Sequence, residues 1–290
     1  YNVWRSAYGP HSWAYQAYGT PQQDATIEIP RGKAIGGSSS INGQVLFRGV
    51  PEDYDNWASW GNDEWAFTKV LPYFRKLEND LDFQGDDFHG STGPIPVRRF
   101  KRSELLPTSA AFYDACVSMG FPEDPDQNHP DSDGIAHRQL NNIGGVRRST
   151  ALTYWSSARH RMNLTVKGSV TVHRILFAER TAVGVLAESG GELFSVEAGE
   201  IIVASGAIAS PQILMLSGVG PAEDFAKRGN AVVHEPTGAG ANLRDYPSVF
   251  TLFRGIGYGH RASAPSNQEG RRNSPYESEP RAEERVTHKW

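Results

Sequence analysis

The chain has 290 residues, 38% of them hydrophobic and 21% charged, with 29 Lys+Arg against 33 Asp+Glu and a formal net charge of −4. That is enough apolar material for one large domain or two modest ones, and the near-balanced charge supplies no basic field for nucleic acid or an anionic membrane. A single cysteine, Cys116, excludes a disulfide framework and any cysteine-based zinc or iron–sulfur site. No apolar run approaches the ~20 residues that span a bilayer, and no basic-then-apolar leader opens the chain, so the expectation is a cytoplasmic globular protein. The first residue is Tyr1 rather than Met, which suggests a fragment or a processed product.

Residues 1–30, rich in Tyr, Trp, Gly and Pro, show no period and are expected to be irregular. Residues 31–49 hold a glycine–serine cluster. In 64–79 (EWAFTKVLPYFRKLEN), Trp65, Val70, Leu71, Phe74 and Leu77 fall at helical spacing, with Pro72 expected to kink or restart the helix. A second helix is predicted over 103–119, capped by Ser103 and stopped by Gly120. The Pro-, Asp- and Asn-dense stretch 122–133 reads as a loop, and 149–160 as a short helix. The period then changes to alternation over 163–177, 182–188 and 192–197, which predicts a small antiparallel meander. Glu200 to Ala204 (EIIVA) has the continuous apolar character of a strand buried on both faces. It leads through Ser205 and Gly206 into a predicted helix, 207–216; a short helix over 221–228 and a strand over 231–234 follow. From Gly255 the chain carries Arg, Glu, Ser, Pro and Asn with almost no aliphatic residues, a composition that favours disorder. Together these elements indicate an α/β fold with an inserted layer.

Two segments can carry chemistry. In the first, 30–43 (PRGKAIGGSSSING), adjacent glycines followed by three serines would let backbone N–H groups approach a phosphate closely, with hydroxyls as further donors. Asn42 adds an amide that both donates and accepts. Alone, such a run is more often a flexible turn, and it is not a nucleoside-triphosphate P-loop, because no Gly-Lys-Ser/Thr follows at the required spacing. In the second, 205–220 (SGAIASPQILMLSGVG), a strand entering a helix through Ser-Gly would present free N–H groups and the positive end of the helix dipole. Ordinary strand–helix packing with a glycine cap is the competing reading.

Taken together, the two segments resemble the paired signatures of the glucose–methanol–choline (GMC) oxidoreductases. Residues 31–55 match the first except at Leu46, where the family usually has an aromatic residue, and 205–220 match the second throughout. Phe88-His89-Gly90, Gly93-Pro94 and 238–245 resemble further recurring segments, so the likeness runs from about Trp13 to about Asp245. It implies a partial Rossmann-like FAD-binding domain with an antiparallel meander and the helical part of a substrate domain. The expected division is 1–60 for the flavin-covering segment and Gly/Ser loop, 61–160 for the helical substrate-domain part, 161–253 for the FAD-domain part and 254–290 for a disordered tail. It also implies FAD as cofactor, a small alcohol as substrate, and an electron acceptor that the residues do not name. Gly36, Gly37, Ser38, Asn42 and Gly43 would lie along the pyrophosphate and the reactive edge of the isoalloxazine. The Val172 backbone would meet the adenine, and Ala204, Ser205 and Gly206 would form a buried turn near the ADP half. Ile41 stands where some members carry a flavin-linked His, so FAD would be held non-covalently. Asn242 and Asp245 would sit near the cofactor domain, and Tyr246 replaces a frequent His.

Two parts of the family pattern are missing from these residues: the strand–Gly-x-Gly-x-x-Gly–helix unit and the segment with the His that takes the hydroxyl proton. The expectation is therefore a middle segment that by itself neither retains FAD nor turns over alcohol, since several charge-assisted bonds of about 1.5–3 kcal/mol each would be lost. A flavin-containing cyanohydrin lyase and a non-functional remnant are the competing readings. No residue is assigned to catalysis or to a metal. His11, His89, His129, His137, His160, His173, His234 and His260 show no ligand spacing and are expected to be surface or supporting residues. Glu52, Asp53 and Asp55 are expected in a loop, with structural or capping roles. Cys116 is expected in core packing, and Trp57, Trp60, Trp65 and Phe67 either in a substrate channel or in ordinary packing.

Overall fold

A computed structural model of the chain describes residues 7–20, 22–226, 232–236 and 238–245. Two compact units divide it, Tyr1–Val203 and Ala204–Trp290. The region read as irregular opens with a small hairpin, β1 (Tyr15–Ala17) and β2 (Ile27–Ile29), antiparallel with Tyr15 opposite Ile29. Its three-residue strands are too short to show a period. Trp13 stacks on Tyr15 with ring centroids 6.4 Å apart, which ties the strand to the segment before it.

The stretch expected as a loop around Asp53 is instead a helix, α1 (Pro51–Ser59). Pro51 suits the first helical position, where its missing N–H would have had no partner, and Asp53 Oδ2 accepts the N–H of Val50 at 3.2 Å. Asp55 accepts the N–H of Phe67 at 2.9 Å and so starts α2 (Phe67–Leu77). Pro72 does not break α2: it removes one i→i−4 bond, while Phe67, Val70, Leu71 and Phe74 pack against Tyr54 and hold the helix together.

The predicted helical run stops at Leu77 because the next three residues form β3 (Glu78–Asp80), whose acidic side chains point inward. β3 lies parallel to β4 (Ile95–Arg99), which pairs antiparallel with β5 (Gln139–Leu140). Ile95 and Val97 fill the space beneath. α3 (Pro107–Ser118) begins four residues later than predicted, again on a proline, and Gly120 at φ 92° ends it. A second hairpin joins β6 (Asn142–Ile143) to β7 (Val146–Arg147) through Gly144 and Gly145, both at positive φ, as a two-residue primed turn requires. The helical reading of 149–160 resolves into a π-helical turn, Ala151–Trp155, followed by Ser156–Ala158.

The meander is present as β8 (Thr171–Ala178), β9 (Thr181–Ser189) and β10 (Glu192–Glu197), antiparallel in the order β10-β9-β8. β8 starts later than the alternation implied, because Gly168 and Ser169 (φ 55°) interrupt the extended chain. The predicted double-faced strand of residues 200–204 does not form, and Ile202 is 82% exposed. Composition made that run strand-like, yet a strand needs a ladder partner, and none of the described strands pairs with it. In the second unit, α4 (Gly206–Leu216) and α5 (Ala222–Ala226) enclose Phe225, which is 2% exposed. The strand expected over 231–234 reduces to a single parallel bridge, Val219 with His234, and Ala231 lies outside the described residues. The expected tail, 254–290, lies outside them as well, as do Tyr246 and His260.

Candidate functional site

The Gly/Ser segment folds as a 3-10 turn, Gly37–Ser40, entered through Gly36 at φ 90° with Gly37 at φ 53°. Only glycine adopts that pair without strain. The glycines differ in what surrounds them. A Cβ on Gly36 would meet Ser40 Oγ at 2.5 Å and Ala151 N at 3.0 Å, and one on Gly32 would strike the Gly37 carbonyl and lie 2.6 Å from Ser38 N. Those positions are small because the protein itself crowds them. A Cβ on Gly37 would meet nothing within 4 Å, so its outer face is left for something else to approach. Replacing Gly32 with alanine should therefore displace the 37–38 backbone and cost about 1–3 kcal/mol, read as a lowered urea midpoint at unchanged m-value.

The serine hydroxyls, expected as ligand donors, are largely used within the turn. Ser38 Oγ accepts the Gly32 N–H at 3.1 Å, Ser39 Oγ donates to the Gly36 carbonyl at 2.5 Å, and Ser40 Oγ donates to Ile35 at 2.9 Å. A segment over a hundred residues away braces them: Thr150 donates its N–H to Ser39 Oγ at 3.0 Å and its hydroxyl to the Gly36 carbonyl at 3.2 Å. Arg147, on β7, donates one nitrogen to the Ser39 carbonyl at 3.1 Å and to Asn42 Oδ1 at 2.7 Å. Ile41 points inward, 5% exposed.

The turn thus gathers Gly36, Gly37, Ser38, Asn42 and Gly43 in one place. Val172 stands apart on β8, 39% exposed. Ser205 and Gly206 belong to the second unit, where Gly206 at φ 85° opens α4 and the Ser205 N–H is taken by Ser210 Oγ at 3.0 Å. That turn was expected to be buried, yet Ala204, Ser205 and Gly206 are all exposed. The strand that was to cover them has no ladder. Alongside α4 runs an apolar groove of about 680 Å³ lined by Ile208, Pro211, Met215, Phe225 and Leu243.

Sequence reasoning missed a buried charge network in the first unit. His89 is enclosed rather than at the surface. Its Nδ1–H donates to Glu78 Oε1 at 2.9 Å, with Asp80 Oδ2 at 3.2 Å, and its Nε2–H donates to Asp126 Oδ2 at 2.6 Å. Both ring nitrogens face carboxylate oxygens, so the ring is an imidazolium. Arg99 grips both oxygens of Asp80 at 2.9 Å and reaches Asp126, and Arg48 pairs with Glu78 and donates to the Phe88 carbonyl at 2.7 Å. Burial alone would lower the His89 pKa, but the hydrogen bonds to Asp126, Asp80 and Glu78 outweigh it and raise it from 6.5 to about 11. Burial likewise works against the Asp80 and Asp126 charges and is overcome, by His89 and Arg99, so both carboxyls fall below their ordinary range. Glu78, Asp80 and His89 come within ligand distance of one another. The carboxylate lone pairs are nevertheless directed at Arg48, Arg99 and the imidazolium, whose two nitrogens both donate, and the arrangement is a salt-bridge network.

This network anchors the chain that leaves the glycine turn. Arg48 N–H donates to Asn128 Oδ1 at 3.0 Å, Asn128 Nδ2 donates to the Leu46 carbonyl at 3.1 Å, and Leu46 N–H donates to the Gln139 carbonyl at 3.2 Å. The Pro/Asp/Asn-rich stretch around Asp124, Asp126 and Asn128 is irregular as predicted but buried. Elsewhere, Phe67 belongs to the core with Tyr54 and Val70. Trp57 and Trp65 meet edge to face at 5.5 Å, and Trp60 is 73% exposed. His173 pairs with Glu188 at 2.8 Å on the meander, and Cys116 is half-buried on α3.

Residues 17–248 match the GMC oxidoreductase family. The chain is 42% identical over 243 residues to an uncharacterized GMC-type oxidoreductase in the thcA 5′ region of Rhodococcus erythropolis, covering 84% of this chain and 48% of that protein. It is 36% identical over 245 residues to the oxygen-dependent choline dehydrogenase of Photobacterium profundum, covering 84% and 43% respectively. Among solved structures, pyridoxine 4-oxidase from Mesorbium loti superposes with a TM-score of 0.74 at 27% identity, over 80% of this chain and 47% of that one. Formate oxidase superposes with a TM-score of 0.72 at 26% identity, over 80% and 42%. The chain spans about half the length of the curated relatives it matches, and no described helix is long and apolar enough to cross a membrane. With the double-glycine turn and the mixed α/β architecture both in place, the chain belongs to the GMC oxidoreductase family.

Proposed function

We propose that this chain forms part of an FAD-dependent oxidoreductase that removes hydride from the CH–OH group of a small alcohol. The observation that carries the reading is the turn at Gly36–Gly37, where a Cβ built on Gly37 would meet nothing within 4 Å, in a chain matched by the family over residues 17–248. An anionic dinucleotide needs backbone N–H groups that it can approach without meeting a Cβ. In the first unit the Cβ positions of Gly37 and Gly43 are uncrowded, and the reading assigns Gly36, Gly37, Ser38, Asn42 and Gly43 to the dinucleotide, with Ser205 and Gly206 as a second glycine turn and Val172 at the adenine. Bound FAD would supply the hydride acceptor. Ile41, apolar and turned inward, makes the association non-covalent. The chain's own residues bind and orient. His89 is not the base that takes the hydroxyl proton, because it is enclosed and both of its nitrogens already donate.

Relatives named for choline and pyridoxine favour oxidation over the cyanohydrin lyase reaction. The reading includes a cytoplasmic location and separate FAD-domain and substrate-domain contributions from 161–253 and 61–160. It also holds that these 290 residues expressed alone bind FAD too weakly to keep it through gel filtration, so a stoichiometrically yellow 290-residue protein would overturn that part. The test of function uses the polypeptide that the gene encodes, loaded with FAD and mixed anaerobically with a panel of primary alcohols. Bleaching of the oxidised-flavin band by one of them is expected. A flavin that none of them reduces sinks the assignment.

A further inference from the structure

The side chain of Asn42 is not free to choose its polarity. Its Oδ1 accepts two hydrogen bonds, from Arg147 at 2.7 Å and from the N–H of Gln44 at 3.0 Å. Both partners are obligate donors, so the carboxamide oxygen is fixed towards them and the amide cannot flip. Gln44 is itself held at φ 64°, a conformation that non-glycine residues rarely adopt. The Asn141 N–H bonds its carbonyl at 2.9 Å, and Asn142 donates to its side chain. Arg147 is presented by the tight β6–β7 hairpin and also grips the Ser39 carbonyl at 3.1 Å. What remains of Asn42 is exposed, and among the described residues no hydrogen bond involves its Nδ2.

We propose that Arg147 is a positioning residue that locks Asn42 as a pure donor, so that Asn42 reads an acceptor atom of the bound flavin rather than its N3–H. The inference rests on the FAD reading of the Gly36–Gly43 turn and adds a polarity to it. The rim of an isoalloxazine carries carbonyl oxygens and ring nitrogens with lone pairs, alongside a single N–H donor. A carboxamide whose oxygen is taken discriminates between these, because turning it the wrong way would bury unpaired donors against one another. The guanidinium on the oxygen also polarises the amide and strengthens its N–H as a donor.

The experiment measures FAD affinity, and the midpoint potential of the bound flavin at saturating FAD, in the polypeptide that the gene encodes. Asn42→Asp keeps both accepted bonds but turns a carboxylate oxygen outward; it should weaken FAD binding at least tenfold and make the potential more negative. Asn42→Ala should weaken binding with a smaller shift in potential. Arg147→Met should reproduce the Asn42→Ala loss and add nothing to it in the double variant, and Arg147→Lys should restore part of it. Unchanged or tighter binding by Asn42→Asp would show that Asn42 accepts, and additive losses in the double variant would show that Arg147 does not act through it; either overturns the proposal. Should Asn42→Asp fail to fold, the side-chain amide signals of Asn42 in the wild type, identified by their loss in Asn42→Ala, decide the matter. They should move downfield on adding FAD, and signals that stay still while other residues of the turn respond overturn the donor role. Gly37→Val separates the two claims: flavin binding untouched by it removes the FAD reading of the turn itself, whatever Asn42 does.

Discussion

His89→Leu should destabilise the first unit by about 3–5 kcal/mol, the cost of removing one partner from a buried ion network. The wild-type arrangement sets Glu78, Asp80 and Asp126 against Arg48, Arg99 and the imidazolium, with all six groups buried or nearly so. Leucine fills the space but leaves three carboxylates facing two guanidiniums, with Glu78 Oε1 and Asp126 Oδ2 each short of a donor. Against a domain stability of about 5–15 kcal/mol that loss is large. It should appear as a lowered urea midpoint, whereas a variant as stable as wild type would show that the imidazolium is dispensable. The same group sets a pH profile. Its pKa is about 11 folded against 6.5 unfolded, so the folded state binds the extra proton and the contribution is complete below about pH 6.5. As pH rises from there through 11 it is lost, with a slope of at most about 1.4 kcal/mol per pH unit. Asp80 and Asp126 act in the opposite sense. Their pKa values are lowered on folding, so their contribution is complete above the unfolded carboxyl range and drains away as pH falls through the folded values. Stability should therefore peak in the weakly acidic range and decline in mild alkali, and His89→Leu should flatten the alkaline limb. An alkaline limb as steep in the variant as in the wild type would assign the slope to other groups.

Gly90→Ala is the second large effect. Gly90 is wedged between the end of α2 and the start of β3: its N–H donates to Glu78 Oε1 at 3.1 Å and its carbonyl accepts the N–H of Asp80 at 2.8 Å. A Cβ there would overlap the Arg75 carbonyl and lie 2.6 Å from that of Glu78. Both obstacles are backbone, held by a helix and a parallel strand pair, so no rotamer change relieves them. The cost should reach or exceed the upper end of the about 1–3 kcal/mol typical of overpacking, and it should fall on the charge network, since Glu78 must move. Gly199→Ala is the control: nothing lies within 4 Å of its Cβ position, so its effect should stay within about 0.5 kcal/mol. Equal unfolding midpoints for the two variants would mean that the α2–β3 junction yields more readily than its hydrogen bonds imply.

The contrast between the glycine turn and the charge network shows what the sequence could convey. Gly36-Gly37 followed by serines announces a tight turn from four or five consecutive letters, and the chain does turn there with both glycines at positive φ, although the serine hydroxyls are spent inside it. The meander was legible for the same local reason, with β strand alternation and Gly190–Gly191 at the reversal. The network has no local signature. Glu78, Asp80, His89, Arg99 and Asp126 each look like a solvated charge, and they meet only because β3 pairs in parallel with β4 and residues 124–128 fold back over them. The one available hint was the density of Asp and Asn around Asp124, Asp126 and Asn128, which composition assigns to an exposed loop. The braces of the turn were hidden likewise, since Thr150 and Arg147 reach Ser39 and Asn42 from more than a hundred residues away. Residues 200–204 failed in the other direction: the composition of a buried strand is local, but the ladder that makes it one is not.

The most direct test of the central claim is flavin content per chain, measured on the purified polypeptide that the gene encodes and on its Gly37→Val and Gly206→Val variants. One FAD per chain in the parent, and a loss of at least tenfold in each variant with the fold retained by circular dichroism, is the expected outcome. Full flavin content in both variants would contradict the assignment of these two turns to the dinucleotide.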